Sequence, residues 1–450
     1  MIPPFELDTL KRNWIEGVAG ADFCCQVRGY IQEIEAIIDL SRERGVLISH
    51  SDPVEFAAAL LASIHSGVPT ILANPKWQQS EWEQLGEQVN PAIIFGMSAV
   101  GKARMLKPSN LKPRDILIPT GGSSGKMKLT VHSWSTLTAA CEGFSAFFGA
   151  ESVDLCCVLP LYHVSGLMQL IRSFTSKGQI VFTNYRALQN GEIPEINAQN
   201  LCLSLVPTQL ERLIKHADIS DWLCSLRAIF MGGAPMSSNL QTRARKLRLP
   251  VVLTYGMTET AAMITALPSN DFLSGKSGVG YALKHAKIRV INKNGSTCLP
   301  EEVGVIQIEA RSLCLGYYGL SSSSSESSYQ SQDEGYLDHE GGLHLVGRSD
   351  RIIISGGEKI DPLEVEKAFL ETGTVGQVFA MGWPDSDWGE QLVVFCVSSN
   401  SMDDVETLRE HLKNKLVNYK IPREIIFVSE LPLTLNGKPD RVLIHKLLKK

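Results

Sequence analysis

Several short segments of this 450-residue chain bring together residues that can hold a phosphate, a flat ring or a metal ion. The first is Thr120-Gly121-Gly122-Ser123-Ser124-Gly125-Lys126-Met127-Lys128, which follows the apolar Ile116-Leu117-Ile118. Small residues there let backbone N–H groups close on phosphate oxygens, hydroxyls add donors, and lysine supplies charge. It is not a Walker loop. Gly121 to Gly125 is too short for G-x-x-x-x-G-K, and Met127 stands where the magnesium-binding Ser or Thr belongs. Taken alone, a Gly/Ser loop is equally an ordinary flexible turn. The second segment, Thr254-Tyr255-Gly256-Met257-Thr258-Glu259-Thr260, follows the apolar Val251-Val252-Leu253. A polar cluster just beyond the carboxyl end of a parallel strand lies where open α/β sheets bind ligands, and Glu259 offers an oxygen to magnesium. The plainer reading is a helix start capped by Thr258, with Glu259 favoured by the dipole. The third, Met231-Gly232-Gly233-Ala234-Pro235, also follows an apolar run, and its paired glycines would let backbone approach a flat ring; a plain turn serves as well. Further on come Gly347-Arg348-Ser349-Asp350-Arg351, Ser355-Gly356-Gly357-Glu358-Lys359-Ile360 and Leu435-Asn436-Gly437-Lys438-Pro439-Asp440-Arg441. Asn436-Gly437 is a tight-turn signal that would project Lys438 as a cation, although a lone Asn-Gly-Lys is usually a surface hairpin.

The elements that must position these residues alternate in type. Short runs rich in Val, Ile and Leu (91–95, 155–159, 179–182, 201–206, 228–230 and 251–254) alternate with helical patterns such as 55–66 and 208–216. That alternation predicts an α/β fold with mostly parallel, buried strands. From about Ile288 closely spaced β-like segments (287–291, 304–309 and 343–346) predict a smaller β-rich subdomain. The polar stretch from Ser321 to Glu334 has no apolar face to bury and predicts a mobile surface loop. Beyond Asp350 a strand, a Gly-Gly turn and a helix starting at Asp361-Pro362 open a final domain of about 100 residues. The expected architecture is therefore a large N-terminal domain of parallel-rich αβ layers with a small β-rich subdomain over 1–349. A smaller, mobile α+β domain follows over 350–450.

Composition narrows the function classes. Hydrophobic residues make up 44% and charged residues 20%, which excludes wholesale disorder. The net charge is −5, so no excess of positive charge marks the chain as a binder of nucleic acid. No apolar stretch is long enough to span a bilayer, and Met1-Ile2-Pro3-Pro4-Phe5-Glu6 lacks the order of a secretory signal. The expected compartment is the cytoplasm, without membrane insertion. The 10 cysteines show no C-x-x-C spacing, so neither a disulfide framework nor a zinc site is expected, and Cys156-Cys157 read as packing residues in an apolar run.

The order of the segments carries more than any one of them. A Ser/Thr/Gly loop ending in Lys128, then Tyr255-Gly256-Met257-Thr258-Glu259-Thr260, Asp333-Glu334-Gly335-Tyr336, Gly347-Arg348-Ser349-Asp350, Ser355-Gly356-Gly357-Glu358 and Asn436-Gly437-Lys438-Pro439-Asp440-Arg441 together resemble the acyl-adenylate-forming superfamily of acyl-CoA synthetases, luciferases and peptide-synthetase adenylation domains. The resemblance covers roughly Ile116 to Arg441. It implies an acid-thiol ligase that uses ATP and Mg2+ to convert a small-molecule carboxylic acid to an acyl-AMP, with release of pyrophosphate, and then passes the acyl group to coenzyme A.

By that resemblance, Thr120, Gly121, Gly122, Ser123, Ser124, Gly125 and Lys128 would hold the β- and γ-phosphates, and Glu259 with Thr258 would hold magnesium and the α-phosphate. Gly232, Gly233, Ala234, Tyr255 and Gly256 would line the adenine site, and Asp333 with Arg348 would hold the ribose hydroxyls. Lys438 matches the lysine that bridges the attacking carboxylate and the α-phosphate, so Lys438→Ala is expected to cost adenylation about 10² to 10³-fold or more. Asp350 matches the hinge about which the small domain turns between half-reactions, and Gly356 and Gly357 match the stretch lining the pantetheine tunnel. His163, in Pro160-Leu161-Tyr162-His163-Val164-Ser165-Gly166, matches the gate beside the acyl pocket; a satisfied buried histidine is the alternative.

The chain departs from the family pattern at Gly121 and Met127, which replace Ser and Pro, and at Ser331-Gln332-Asp333, which replaces Thr-Gly-Asp. Lys128, Asp333 and Lys438 are present, so activity is expected. The part before Ile116 is short. A compact member with Leu159-Pro160-Leu161-Tyr162-His163-Val164-Ser165-Gly166-Leu167 is similar to the o-succinylbenzoate:CoA ligases of menaquinone and phylloquinone biosynthesis. Such a substrate carries a second carboxylate, for which Gln169 and Arg172 are candidate donors; the plainer reading of Arg172 is a surface charge. The alternatives are another aryl or short-chain acyl-CoA ligase, a stand-alone enzyme loading a carrier protein, and a non-catalytic nucleotide-binding relative.

Overall fold

Apolar runs build two parallel-rich sheets that share one core with helices Gly20–Glu35, Pro53–Ser66, Trp134–Phe148 and Val164–Ser176. In the first sheet, Val46–Ser49 lies between Thr70–Leu72 and Ile93–Gly96, parallel to both, and Thr70–Leu72 pairs in parallel with Ile116–Gly121. Met127–His132 and then Gly316–Tyr317 extend it antiparallel to the edge. The second sheet runs Ile180–Phe182, Asp154–Cys157, Leu201–Leu205, Ala228–Met231 and Val251–Met257, all parallel, and ends with the antiparallel strands Ala262–Leu267 and Tyr281–Ala282. The computed structural model describes residues 3–37, 39, 44–96, 111–121, 127–149, 152–320, 328–348, 351, 353–355, 358–385, 388–398, 405–413, 415–433, 439–440 and 443–444.

The helices show why the chain folds locally as it does. Asp52 accepts hydrogen bonds from the Val54 and Glu55 N–H groups, Pro53 takes the first helical position, and Gly67 at φ 70° ends the helix Pro53–Ser66. Every residue from Phe56 to Ile64 is buried, as a helix packed on more than one side requires. Helices Trp134–Phe148 and Val164–Ser176 belong to the same core, which Phe144, Leu167, Leu170 and Ile171 fill. The 10 cysteines are unpaired, and Cys156 and Cys157 are buried, as packing residues should be.

A third sheet, wholly antiparallel, orders Ala286–Ile291, Gly304–Ala310, Tyr329–Leu337 and Leu343–Arg348. It is the expected β-rich subdomain, with one correction. The stretch up to Glu334 was expected to be a loop, yet the strand begins at Tyr329. Residues 321–327 lie outside the described residues. From Tyr329 the side chains alternate, with Ser331 and Asp333 buried and Gln330 and Gln332 exposed. The inward face is polar rather than apolar, so hydrophobic periodicity could not reveal it.

The smaller C-terminal domain is α+β. Val375–Asp385 and Gly389–Ser398 form a long hairpin, Glu424–Phe427 joins it in parallel, and Ile353–Ser355 with Glu358–Ile360 completes the sheet. Helix Pro362–Leu370 starts as read from sequence, with Asp361 capping Leu363 N–H, and packs Val365 and Phe369 against Val394, Leu408 and Leu412. Residues 349 and 350, where the sequence places the domain boundary, lie outside the described residues. Among the described residues no helix is long and apolar enough to cross a membrane.

Candidate active site

The site is built from the tip of a hairpin. Val251–Met257 runs past the carboxyl ends of its parallel neighbours and turns back into Ala262–Leu267. A single 3-10 turn, Thr258–Thr260, makes the reversal, so Thr258 and Glu259 do not open an α-helix as the plainer reading had it. The turn is tight. The Thr260 hydroxyl accepts from Met257 N–H and donates to the Ala262 carbonyl at 2.6 Å. Ala261 and Ala262 take φ values of 53° and 70°, strain of the sort that persists only where surroundings over-determine it. Gly256 has a packing reason of its own, because a Cβ there would lie 1.9 Å from the Ala262 carbonyl oxygen.

Three contacts from other elements fix this tip. The buried His132 of strand Met127–His132 meets the Thr258 carbonyl through Nε2 at 2.7 Å and Thr136 Oγ1 through Nδ1 at 2.9 Å. A carbonyl only accepts, so Nε2 carries the proton and Nδ1 accepts. Burial pushes this imidazole down to about 4, which keeps it neutral. Cys314 N–H donates to the Glu259 carbonyl at 2.8 Å. The Tyr317 hydroxyl donates to Glu259 Oε1 at 2.5 Å, and burial together with that carboxylate pushes the phenol up. Lys128 Nζ lies 5.1 Å over the Tyr317 ring. Lys128 and Glu259, which the sequence places in separate segments, thus meet at one tyrosine.

The expected phosphate loop is bounded by paired strands, Thr120 opposite Lys128 and Gly121 opposite Met127. An antiparallel pair in this position is unlike the strand–loop–helix of a Walker site. Gly122, Ser123, Ser124 and Gly125 lie outside the described residues. Helix Gln79–Gly86 and the turn after it brace the second strand: Gln84 Oε1 accepts from Met127 N–H at 2.8 Å, and Gln88 Nε2 donates to the Met127 carbonyl at 3.2 Å.

A second polar cluster joins the hairpin to the third sheet. Asp333 faces Arg348 across two antiparallel strands, and its carboxylate accepts from Tyr255 at 2.7 Å and from Arg348 Nη1 at 2.9 Å. Its own N–H donates to Ser331 Oγ at 3.1 Å. Burial, then Asp333, pushes the Tyr255 phenol up. Beside Tyr255 in the sheet, Gly232, Gly233 and Ala234 leave strand Ala228–Met231, with Gly233 at φ 80° and exposed. Thr254 Oγ1 ties the two strand ends by donating to the Met231 carbonyl, and a Cβ on Gly232 would lie 2.8 Å from that hydroxyl.

The acyl-side candidates lie on helix Val164–Ser176. His163 immediately precedes it, its ring centroid 4.7 Å from that of Tyr162. Arg172 is not a surface charge: it is 5% exposed, its guanidinium 4.4 Å from the Phe144 ring centroid. Burial pushes it down to about 10. Gln169 is fully buried, and its amide nitrogen donates to the Ser165 carbonyl. Gln169 Oε1, Arg172 Nε and Nη2, Ser173 Oγ and both ring nitrogens of His285 find no hydrogen-bond partner among the described residues. His285 packs its ring on Gly143, next to the Phe144 that carries Arg172, and burial followed by the charge of Arg172 pushes it down to about 4.

Lys438, Asp350, Gly356 and Gly357 lie outside the described residues. The residues flanking two of these gaps pair across them: Leu433 with Pro439, and Ser355 with Glu358. Sequence reasoning missed Tyr317, Tyr329, His132, Gln84 and His285. No spacing rule links positions 132 or 317 to 259, so only the folded chain brings them together. Glu259 with Thr258 suits magnesium, a hard cation that takes one or two carboxylates plus substrate phosphates.

Comparison with known proteins agrees with this geometry. Residues 32–318 match the model of the AMP-binding enzyme family, and residues 364–438 match that of the AMP-binding enzyme C-terminal domain. The 2-succinylbenzoate–CoA ligase of Bacillus licheniformis is 31% identical over 334 residues, 73% of this chain and 68% of that protein. That of Enterococcus faecalis is 26% identical over 409 residues, 90% of this chain and 83% of that protein. Among solved structures, o-succinylbenzoate CoA synthetase from Bacillus subtilis in complex with its acyl-adenylate intermediate superposes with a TM-score of 0.80 at 24% identity, covering 96% of this chain and 94% of that one. ATP-bound MatB from Rhodopseudomonas palustris gives a TM-score of 0.82 at 20% identity, covering 99% and 97%.

Proposed function

Because the chain belongs to the AMP-binding enzyme family, we propose that it joins o-succinylbenzoate to coenzyme A through an acyl-adenylate. The acid's carboxylate oxygen attacks the α-phosphorus of ATP and expels pyrophosphate; the CoA thiol then attacks the acyl carbonyl and expels AMP. The relatives that share this chain's length and fold support the ligase reaction. The observation that carries the choice of acid is the buried Arg172, on the helix that follows His163, whose Nε and Nη2 lack hydrogen-bond partners among the described residues. A buried, unpaired cation is costly, and a second carboxylate of the substrate completes it.

The proposed roles are those that the family resemblance implies. Thr120 and Lys128, opposite each other in the hairpin, hold phosphate oxygens together with the loop between them. Tyr255 and the glycines at 232 and 233 receive adenine, while Asp333 and Arg348 receive the ribose. Glu259 beside Thr258 would hold magnesium, which would supply positive charge against the phosphates. Lys438 brings its ammonium to the attacking carboxylate and the α-phosphate, where negative charge accumulates. Asp350 serves as the hinge between domains 1–349 and 350–450, and Gly356 and Gly357 leave room for the pantetheine arm. His163 gates the acyl pocket, and Gln169 with Arg172 reads the second carboxylate. We place the enzyme in the cytoplasm, with the small-molecule acid and CoA as its partners.

The test is AMP and pyrophosphate release from ATP and magnesium with o-succinylbenzoate, benzoate, 4-coumarate and octanoate, each with and without CoA. CoA-dependent turnover of o-succinylbenzoate alone is expected. Turnover of another acid instead would discard this substrate and retain the ligase. Pyrophosphate release indifferent to CoA would point to a carrier protein as the acyl acceptor.

A further inference from the structure

The machinery read from the sequence does not use Tyr317, although Tyr317 touches two of its parts. It stands on the edge strand of the first sheet, paired with Thr130. Its hydroxyl donates to Glu259 Oε1 at 2.5 Å, and its ring carries the Lys128 ammonium at 5.1 Å. Behind it, the Tyr329 hydroxyl interacts with that of Tyr317. The same short segment also holds the Glu259 backbone through Cys314 N–H. Glu259 Oε2, by contrast, takes no hydrogen bond among the described residues.

We propose that Tyr317 is a positioning residue for the adenylation half-reaction, holding one carboxylate oxygen of Glu259 so that the other meets magnesium, and keeping Lys128 beside it for the nucleotide phosphates. The physical case is one of preorganisation. A glutamate loses rotamer freedom when it is fixed. A bond to Oε1 from a tyrosine itself clamped between two sheets meets that cost before the metal arrives. The ring under Lys128 holds a flexible cation near the same point, and a cation over an aromatic face is attracted without being neutralised. The two functions separate by atom: the hydroxyl serves Glu259 and the ring serves Lys128.

This inference rests on Glu259 as the magnesium carboxylate, and the experiment separates the two. Mn2+ binding is read by electron paramagnetic resonance with a non-hydrolysable ATP analogue, which needs no acyl substrate. Glu259→Gln establishes whether the metal assignment holds. Given that it does, Tyr317→Phe is expected to weaken Mn2+ about tenfold, the loss of one hydrogen bond to a charged group, and to leave affinity for the metal-free analogue within twofold. Tyr317→Leu adds a loss of about threefold in affinity for the analogue, through Lys128. In turnover, Tyr317→Phe raises the half-saturating Mg2+ for pyrophosphate release, whereas CoA ester formation from supplied acyl-adenylate changes less than twofold. Tyr329→Phe, further from the carboxylate, gives a two- to threefold loss in Mn2+ affinity and guards against misfolding of the first variant. Unchanged Mn2+ affinity in Tyr317→Phe, or equal loss in both half-reactions, overturns the proposal. A Glu259→Gln protein that binds Mn2+ normally overturns the reading beneath it.

Discussion

The two ends of the site solve opposite problems. On the nucleotide side the polar groups are already partnered: Asp333 accepts from Tyr255 and Arg348, Glu259 accepts from Tyr317, and Thr258 is held by His132. On the proposed acyl side, Gln169 and Arg172 of helix Val164–Ser176 and the nearby His285 are buried and leave polar atoms without hydrogen-bond partners among the described residues. The difference teaches which ligand each end needs. On the proposed assignment, a nucleotide would meet a surface arranged before it arrives, which lowers the cost of ordering. The proposed acyl side would hold a charge whose compensation arrives with the substrate, and a site with buried donors rejects an acid that leaves them unpaired.

The sharpest way to break this contrast is Arg172→Met. Removing a buried cation that has no carboxylate partner is expected to leave the folded protein as stable or more stable, measured by denaturant midpoint. KM for o-succinylbenzoate should rise by about 10² to 10³-fold, the usual loss when one partner of a buried charged contact is deleted. Benzoate, with no second carboxylate, should be affected little. A fall in stability without a selective rise in KM would show that Arg172 is a structural residue.

Acid titration separates partnered from unpartnered histidines. His132 and His285 are both pushed down to about 4 by burial. Each folded value lies below the unfolded value near 6.5, so the unfolded chain binds more protons between these limits. Stability is therefore full above about pH 6.5 and falls toward pH 4, by at most about 1.4 kcal/mol per pH unit for each histidine. His285→Gln should remove one share of that slope in urea unfolding from pH 7 to 4.5. Saturating o-succinylbenzoate should flatten the slope in the parent protein but not in this variant, because the carboxylate stabilises a protonated His285. No change in slope would place the acid sensitivity elsewhere.

On the nucleotide side, Asp333→Asn should weaken AMP binding and lower stability by about 1–3 kcal/mol, since a weaker acceptor then faces Tyr255 and Arg348. Equilibrium unfolding and calorimetric titration with AMP read the two losses. An unchanged protein would mean that the cluster is not the preorganised half of the site.

Much of this was legible before folding. The alternation of apolar runs and helical patterns predicted the parallel sheets, and the structure brings Lys128 and Glu259 to one tyrosine and pairs Asp333 with Arg348, residues that the order of motifs had grouped. What escaped did so for physical reasons. Residues 329–334 read as loop because the strand turns Ser331 and Asp333 inward, and a buried polar face carries no hydrophobic period. Arg172 read as surface because a charged residue in a helix is usually exposed, and nothing local announces Phe144 beneath it. Tyr317 and His132 were invisible because their partners are contacts between sheets, distant in sequence.

The smallest expected effect tests whether the nucleotide side is strained by design of its turn. Ala262 holds φ 70°, a region that costs a residue with a Cβ roughly 1 kcal/mol and costs glycine almost nothing. Ala262→Gly relieves that strain in the folded state but also frees the unfolded chain, which opposes the gain by roughly 0.5–1 kcal/mol. The net change in stability should therefore be within about 0.5 kcal/mol of zero. The position of Glu259 is another matter, because the reversal that presents it loses its single conformation when glycine can adopt others. Apparent Mg2+ affinity should fall by about two- to threefold while the thermal midpoint stays put. If both stay unchanged, the tip is fixed by His132, Cys314 and Tyr317 alone, and the comparison sharpens: the nucleotide side then owes its order to partners drawn from other sheets rather than to its own backbone.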